Sequence, residues 1–251
     1  MIQQREERHV LTEISTDVVF FTVRNERLCV LLIQRDKEPF ANYWSLPGGR
    51  VGREETLDAA ARRMLAAKTG ITGVYLEQLY TFGGIDRDPR GRVISVAYYA
   101  LVAADRAPLI PERPDIRWHE VEALPELAFD HAEIVAMARR RLASKLEYST
   151  IALQLMPEKF TLSELQAVYE QILGEELDKR NFRRRLQGLG CLEPTDELHR
   201  AGKHRPARLY RIKRPGRVEI FKGSLERAAG HRGSHEQAAA NRRAGPAGVL
   251  P

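Results

Sequence analysis

Between Gly48 and Ile71 the chain spaces a few residues in a way that a helix held between two glycine loops accounts for. Gly49 is followed after five residues by Glu55, Arg63 comes after a further seven, and Gly70-Ile71 closes a segment of 23 positions. Thr56 is a residue type that caps the free amides of a helix start, and Gly70 is the type that ends a helix in the left-handed conformation. Thr56 to Thr69 between them is rich in alanine. The pattern predicts a helix over 56–69, with a turn at Leu46-Pro47-Gly48-Gly49. Such a helix needs a surface to cover, and the flanks supply strands. Asp17 to Val23 and Leu28 to Ile33 are β-rich runs joined at Arg24-Asn25-Glu26-Arg27, a hairpin signal. Val74 to Phe82, Arg92 to Val102 and Ile116 to Val121 read as further strands, and His131 to Tyr148 as a long helix. The first half of the chain is therefore of the α/β class.

The loop–helix–loop resembles the Nudix box, and Trp44 to Gly49 resembles the strand that leads into it. The resemblance implies an α/β/α sandwich on a mixed sheet. It also implies glutamates at positions 64, 67 and 68, which the spacing i, i+3, i+4 would set on one helical face to hold divalent cations against a pyrophosphate. This sequence has Met64, Ala67 and Lys68 there. A thioether, a methyl and an ammonium are no substitute for hard anionic ligands, so hydrolysis is expected to be lost and no metal or cofactor to be required. The competing reading is an active ADP-ribose hydrolase with an appended nucleic-acid-binding module.

The segment from Gln78 to Tyr99 resembles the part of ADP-ribose-directed Nudix domains that meets the ligand. Aromatic faces suit adenine and arginines suit phosphate. The candidate effector-binding residues are Arg35, Trp44, Gly48, Gly49, Arg50, Phe82, Arg87, Asp88, Arg92 and Tyr98. An alternative stays open, in which Tyr80, Phe82 and Tyr98 are core residues and the arginines line a solvated turn.

The net charge of +6 is unevenly spread. Residues 1–175 hold 22 Lys/Arg against 26 Asp/Glu, whereas residues 176–222 hold 14 against 6. A compact basic segment on a near-neutral body suggests that one domain meets a polyanion, although a solvated basic face has the same composition. Just ahead of this segment Thr161 and Glu164 form a capping-box pattern that starts a helix ending at Gly174. A second helix starts at Asp178 and ends near Gly188-Leu189-Gly190. Cys191-Leu192-Glu193, a polar loop and Ala207 to Ile212 follow. Two short helices and then a ribbon are the winged helix-turn-helix pattern. The second helix places Phe182, Leu186 and Leu189 on one stripe, which leaves Lys179, Arg180, Asn181, Arg183 and Arg184 for a groove. Lys203, His204 and Arg205 fall at the tip of the expected wing, and Thr161 completes the candidate DNA-binding set. An RNA or protein surface is the alternative. Residues 223–251 are rich in Gly, Ala, Arg and His and predict a disordered tail.

The whole chain resembles the Nudix-related transcriptional repressors of NAD metabolism, the NrtR family. That resemblance implies a homodimer on a palindromic operator in double-stranded DNA, with ADP-ribose or a related nucleotide as the effector. The expected division is 1–150 for the sensing domain, 151–222 for the winged helix and 223–251 for the tail. No apolar run approaches the ~20 residues that span a bilayer, and the polar start of the chain does not look like a secretory signal. The only two cysteines, Cys29 and Cys191, each lie in an apolar run. A cytoplasmic protein without a membrane partner is expected.

Overall fold

The computed structural model describes residues 12–110, 113–200 and 206–221. The first strand, β1 (Glu13–Arg24), turns tightly into β2 (Arg27–Gln34). Asn25 and Glu26 both take positive φ, at 48° and 60°, as a type I′ hairpin requires. Next come β3 (Trp44–Ser45), β4 (Gly48–Arg50), α1 (Leu57–Thr69), β5 (Tyr75–Phe82), β6 (Val93–Leu101), β7 (Ile116–Glu120) and α2 (His131–Leu146). The sheet runs β3-β2-β1-β6-β5, with β4 paired to β1 and β7 to β2. It is mixed, because β1 and β6 are parallel while the other pairings are antiparallel.

Both faces of the sheet are covered. Along β1, Val18 and Phe20 pack with Ala61 and Leu65 of α1, while Val19 and Phe21 pack with Ile134, Val135, Ala138 and Leu142 of α2. Strand β6 alternates the same way, Tyr98 toward α1 and Tyr99 toward α2. This explains why β1 reads as an unbroken apolar run rather than an alternating one. Each large side chain so buried contributes about 1.5–3 kcal/mol.

The Gly48-Gly49 pair, expected as a turn, forms β4 and pairs with β1, Gly48 opposite Asp17 and Gly49 opposite Thr16. A Cβ at Gly48 would lie 2.1 Å from Asp17 Oδ1 and 2.7 Å from the Thr16 carbonyl, so this strand approaches its neighbour only because it has no side chain there.

After a 3-10 turn at Ile151–Leu155, α3 (Leu162–Leu173) and α4 (Lys179–Leu189) lead into the ribbon β8 (Leu192–His199) and β9 (Ala207–Ile212). Both halves of the predicted capping box are present. The polar loop expected after Glu193 is instead strand as far as His199. Most of its side chains face solvent, so no apolar alternation announced it. Phe160 and Tyr210 exchange two backbone hydrogen bonds, of 3.0 and 2.8 Å, which ties the ribbon to the start of α3.

The two halves share one core. Leu32, Ala97 and Ile134 belong to the same contiguous cluster as Leu155, Leu165, Tyr169, Phe182 and Leu186. The chain then returns to the joint, where Thr150 N–H donates to Glu219 O and Phe221 N–H donates to Tyr148 O. Residues 223–251 lie outside the described residues.

Candidate functional site

One end of the sheet opens into a cavity of about 400 Å³, within the range of small-molecule sites. Its walls come from β1 (Ser15, Asp17), the loop after β2 (Arg35 to Glu38), β4, the turn at Arg87 to Arg90, and Phe129 with His131 at the start of α2. The Phe129 ring carries the Arg35 guanidinium at 4.7 Å and the Arg90 guanidinium at 5.6 Å, with Phe40 edge-on at 4.8 Å. Phe129 and Phe40 both sit at positive φ, 56° and 65°. That backbone is strained for bulky residues, and such strain concentrates at ligand sites. Burial, followed by the charge of Arg90, pushes the Arg35 pKa below its ordinary value. Arg90 is anchored on Asp88 by two side-chain bonds of 2.9 and 2.6 Å, which pull the Asp88 pKa down. Two guanidinium groups converging on one ring favour an anion, and planar arginines bond phosphate oxygens in pairs.

Beneath this wall lies a buried polar network. Arg87, with its side chain 5% exposed, donates to both carboxylate oxygens of Asp130 at 2.8 and 2.7 Å and lies 3.6 Å from Asp17. Ser95 donates to Asp17 at 2.5 Å. His131 Nδ1 accepts the Leu46 N–H at 2.9 Å, so its proton sits on Nε2, which faces Asp17 at 3.6 Å. Burial pushes the His131 pKa below the ordinary 6.5. The unfolded chain takes up that proton below pH 6.5 while the native state resists it. Stability is therefore full above 6.5 and declines as the pH falls toward the lower folded value. Melting temperatures measured from pH 8 to pH 5 are expected to fall, and to fall less steeply in His131→Gln. Equal slopes in the two proteins would assign the decline to other groups.

The loop–helix–loop keeps its shape without its ligands. Arg63 pairs with both oxygens of Glu55, which also accepts the Gly52 N–H at 2.6 Å, and the Arg63 bond draws the Glu55 pKa down to about 2. Arg63 further donates to Arg50 O at 3.2 Å. These two residues thus staple loop to helix. Met64 lies under Gly49, its thioether within 2.9 Å of where a Cβ would stand. Asp58 accepts the Tyr98 hydroxyl at 2.6 Å. With Glu55 held by arginine, Asp58 by tyrosine, and Met64, Ala67 and Lys68 on the helix, the residues do not fit a divalent ion.

Of the ten expected effector residues, the structure brings Arg35, Gly48, Gly49, Arg50, Arg87 and Asp88 to the cavity. The other four lie elsewhere. Phe82 is buried in the core beneath α2. Tyr98 is buried on the opposite face against Asp58. Trp44 packs edge-on to His119 at 4.5 Å. Arg92 donates to Gly83 O and Gly84 O at 2.8 and 2.9 Å, closing its own hairpin. For Phe82 and Tyr98 the alternative reading, core residues, is the one the structure follows. Sequence reasoning missed Asp17, Arg90, Phe129 and His131. Arg90 stood in a turn already marked by Asp88-Pro89-Arg90-Gly91, but nothing local signalled the conformation of Phe129.

The second surface is α4. Phe182 and Leu186 are buried, Phe182 edge-on to Tyr169 at 5.1 Å. The Asp178 side chain caps the helix by accepting the Asn181 N–H at 2.8 Å. Lys179, Arg180, Arg183 and Arg184 line one shallow depression on the outer face, together with Gln187, which sequence reasoning did not single out. Asn181 accepts from Arg184 at 2.8 Å. Thr161 is buried and its hydroxyl is committed to the Glu164 N–H, so it belongs to the cap of α3 rather than to a surface. Lys203, His204 and Arg205 lie outside the described residues.

A polar cavity at one end of a Nudix-type sandwich and a cationic helix in a winged fold, on one core, define a two-domain protein that pairs a small-molecule site with a nucleic-acid-binding module. Residues 12–138 match the family model of the NUDIX domain, and residues 152–212 match that of the NrtR DNA-binding winged helix domain. The ADPR-responsive transcriptional repressor NtrR of Acinetobacter baylyi is 44% identical over 203 residues, 79% of this chain and 81% of that protein. The ADP-ribose pyrophosphatase of Methanocaldococcus jannaschii is 34% identical over 106 residues, 42% of this chain and 63% of that one. Among solved structures, Shewanella oneidensis NrtR complexed with a 27mer DNA superposes with a TM-score of 0.76 at 36% identity, covering 85% of this chain and 99% of that one. The chain belongs to the NrtR family of Nudix-related, winged-helix proteins.

Proposed function

We propose that this protein is a transcriptional repressor of genes of NAD metabolism that binds operator DNA through its winged helix and responds to ADP-ribose held in the cavity of its Nudix domain. The observation that carries this reading is that the arginine-lined cavity and the outward cationic face of α4 are built on one continuous core. In the cavity, Arg35, Arg50 and Arg90 face the pyrophosphate, Arg87 holds the wall beneath them through Asp130, and Phe129 offers a ring for the base. On DNA, Lys179, Arg180, Arg183, Arg184 and Gln187 enter the major groove, and Lys203, His204 and Arg205 are further contacts to the backbone or minor groove. The working division is residues 1–150 for sensing and 151–222 for DNA binding. Two copies form a homodimer, because a single winged helix buries little surface and two-fold symmetry suits a palindromic operator. No helix among the described residues is long and apolar enough to cross a membrane; action on DNA places the protein in the cytoplasm.

The domain is a sensor and not a hydrolase, and it requires no cofactor. Calorimetry is expected to detect ADP-ribose binding, while Mg²⁺ or Mn²⁺ yields no AMP from ADP-ribose above background. Turnover at the rate of a working Nudix enzyme would overturn the non-enzymatic assignment. Failure of ADP-ribose to bind or to raise the melting temperature would overturn the sensor assignment.

A further inference from the structure

Helix α2 spans the distance between the two surfaces. Its first turn forms part of the cavity, with Asp130 gripped by Arg87 and His131 bonded to the Leu46 N–H. Its sixteen residues extend about 24 Å. At the far end, the carbonyl of its C-cap residue Glu147 accepts a 2.9 Å bond from Arg185 Nη2. Arg185 belongs to α4, yet it does not line the outer depression formed by Lys179, Arg180, Arg183, Arg184 and Gln187. It is half-buried on the inner side, and its guanidinium lies 4.6 Å above the Phe221 ring. Phe221 is itself pinned by its N–H to Tyr148 O at 2.8 Å, one residue beyond that cap. A cation over an aromatic face, with one N–H on a helix-terminal carbonyl, suits arginine, whose planar guanidinium stacks on the ring while its edge donates to the carbonyl.

We propose that Arg185 is a positioning residue, through which the C-terminal end of α2 sets the attitude of the DNA-binding helix α4, so that nucleotide bound at the N-terminal end of α2 alters DNA affinity. The proposal rests on the functional reading above and adds a route to it. A ligand that displaces the Arg87–Asp130 grip moves the first turn of α2. A helix moves as a rigid element over this length, so the Glu147 carbonyl moves with it, and Arg185 carries the change into α4.

The test uses the full chain and a labelled duplex carrying an operator selected from random DNA by the unaltered protein. DNA affinity is measured by anisotropy with and without ADP-ribose, across a salt series, for the unaltered protein and for Arg185→Gln, Arg185→Lys and Phe221→Leu. The unaltered protein is expected to show a change of about 5–150-fold in DNA affinity. In Arg185→Gln and Phe221→Leu that factor falls toward one, while ADP-ribose affinity and the salt slope stay as they were. Arg185→Lys keeps part of the factor. Phe221 lies outside α4, so a shared loss separates positioning from direct DNA contact, and it provides a second variant should Arg185→Gln unfold. A full coupling factor in Arg185→Gln or in Phe221→Leu overturns the proposal. A salt slope reduced by about one in Arg185→Gln, with the factor intact, makes Arg185 a phosphate contact instead. If the unaltered protein shows no ADP-ribose effect on DNA at all, the functional reading fails, and this inference fails with it.

Discussion

Arg87→Met is expected to destabilise the protein by about 3–5 kcal/mol and to abolish ADP-ribose binding. Arg87 is nearly inaccessible and joins the turn after β5 to the start of α2 through Asp130, with Asp17 as a further partner. Burial works against its charge, but the Asp130 hydrogen bonds and the charges of Asp130, Asp17 and Asp88 outweigh that cost, and its pKa lies above the ordinary arginine value. Methionine fills much of the same volume, so a cavity is not the main loss. The loss comes from two carboxylates left in a buried setting with their cation gone. Denaturant unfolding followed at neutral pH measures the first effect, and calorimetry at a temperature where the variant remains folded measures the second. A variant within 1 kcal/mol of the parent would mean that solvent reaches this network and that the grip on α2 is not structural.

Arg183→Ala is expected to weaken operator binding by about 1–3 kcal/mol if the side chain reads a base, roughly 5- to 150-fold in Kd, and to relax the sequence preference at one position of each half-site. The residue is exposed and lies on the outer face with Lys179, Arg180 and Arg184. A phosphate contact gives a different signature, a uniform loss over all sequences and a salt slope lowered by about one. Gel shifts on the selected operator, on half-site variants and on random DNA at several salt concentrations separate the two. An unchanged affinity on every duplex would remove α4 from the DNA interface and favour a protein or RNA partner for this face.

Local signals carried much of the architecture. Thr56 and Gly70 bound α1, and Asn25-Glu26 marked the hairpin. The capping box at Thr161 and Glu164 and the helix start read at Asp178 placed α3 and α4 within a residue of where they start. These are signals between neighbours in the chain, where side chain and backbone meet whatever the rest of the fold does. The residue types at positions 64, 67 and 68 were equally legible, a thioether, a methyl and an ammonium on one helical turn. The ribbon strand β8 was not, since its polar side chains on a solvated surface leave no alternation to read.

The sequence alone thus determined most of the elements, the caps of α1 and α3, and the basic helix. Which arginines meet in the cavity was decided only by the tertiary structure. Arg92 and Arg90 are equally plausible in the chain, yet Arg92 closes its own hairpin while Arg90 lies against Phe129, brought there by a connection 39 residues further on. Phe82 and Tyr98 have the chemistry of a base-stacking wall, but the pleat of β5 and β6 turns them into the two opposite cores. Arg185 resembles its arginine neighbours in the chain, and the 100° step of the helix turns it inward to Glu147 and Phe221. In each case the residue type is local information, whereas its direction depends on sheet pleat, helix phase and the packing of elements distant in sequence.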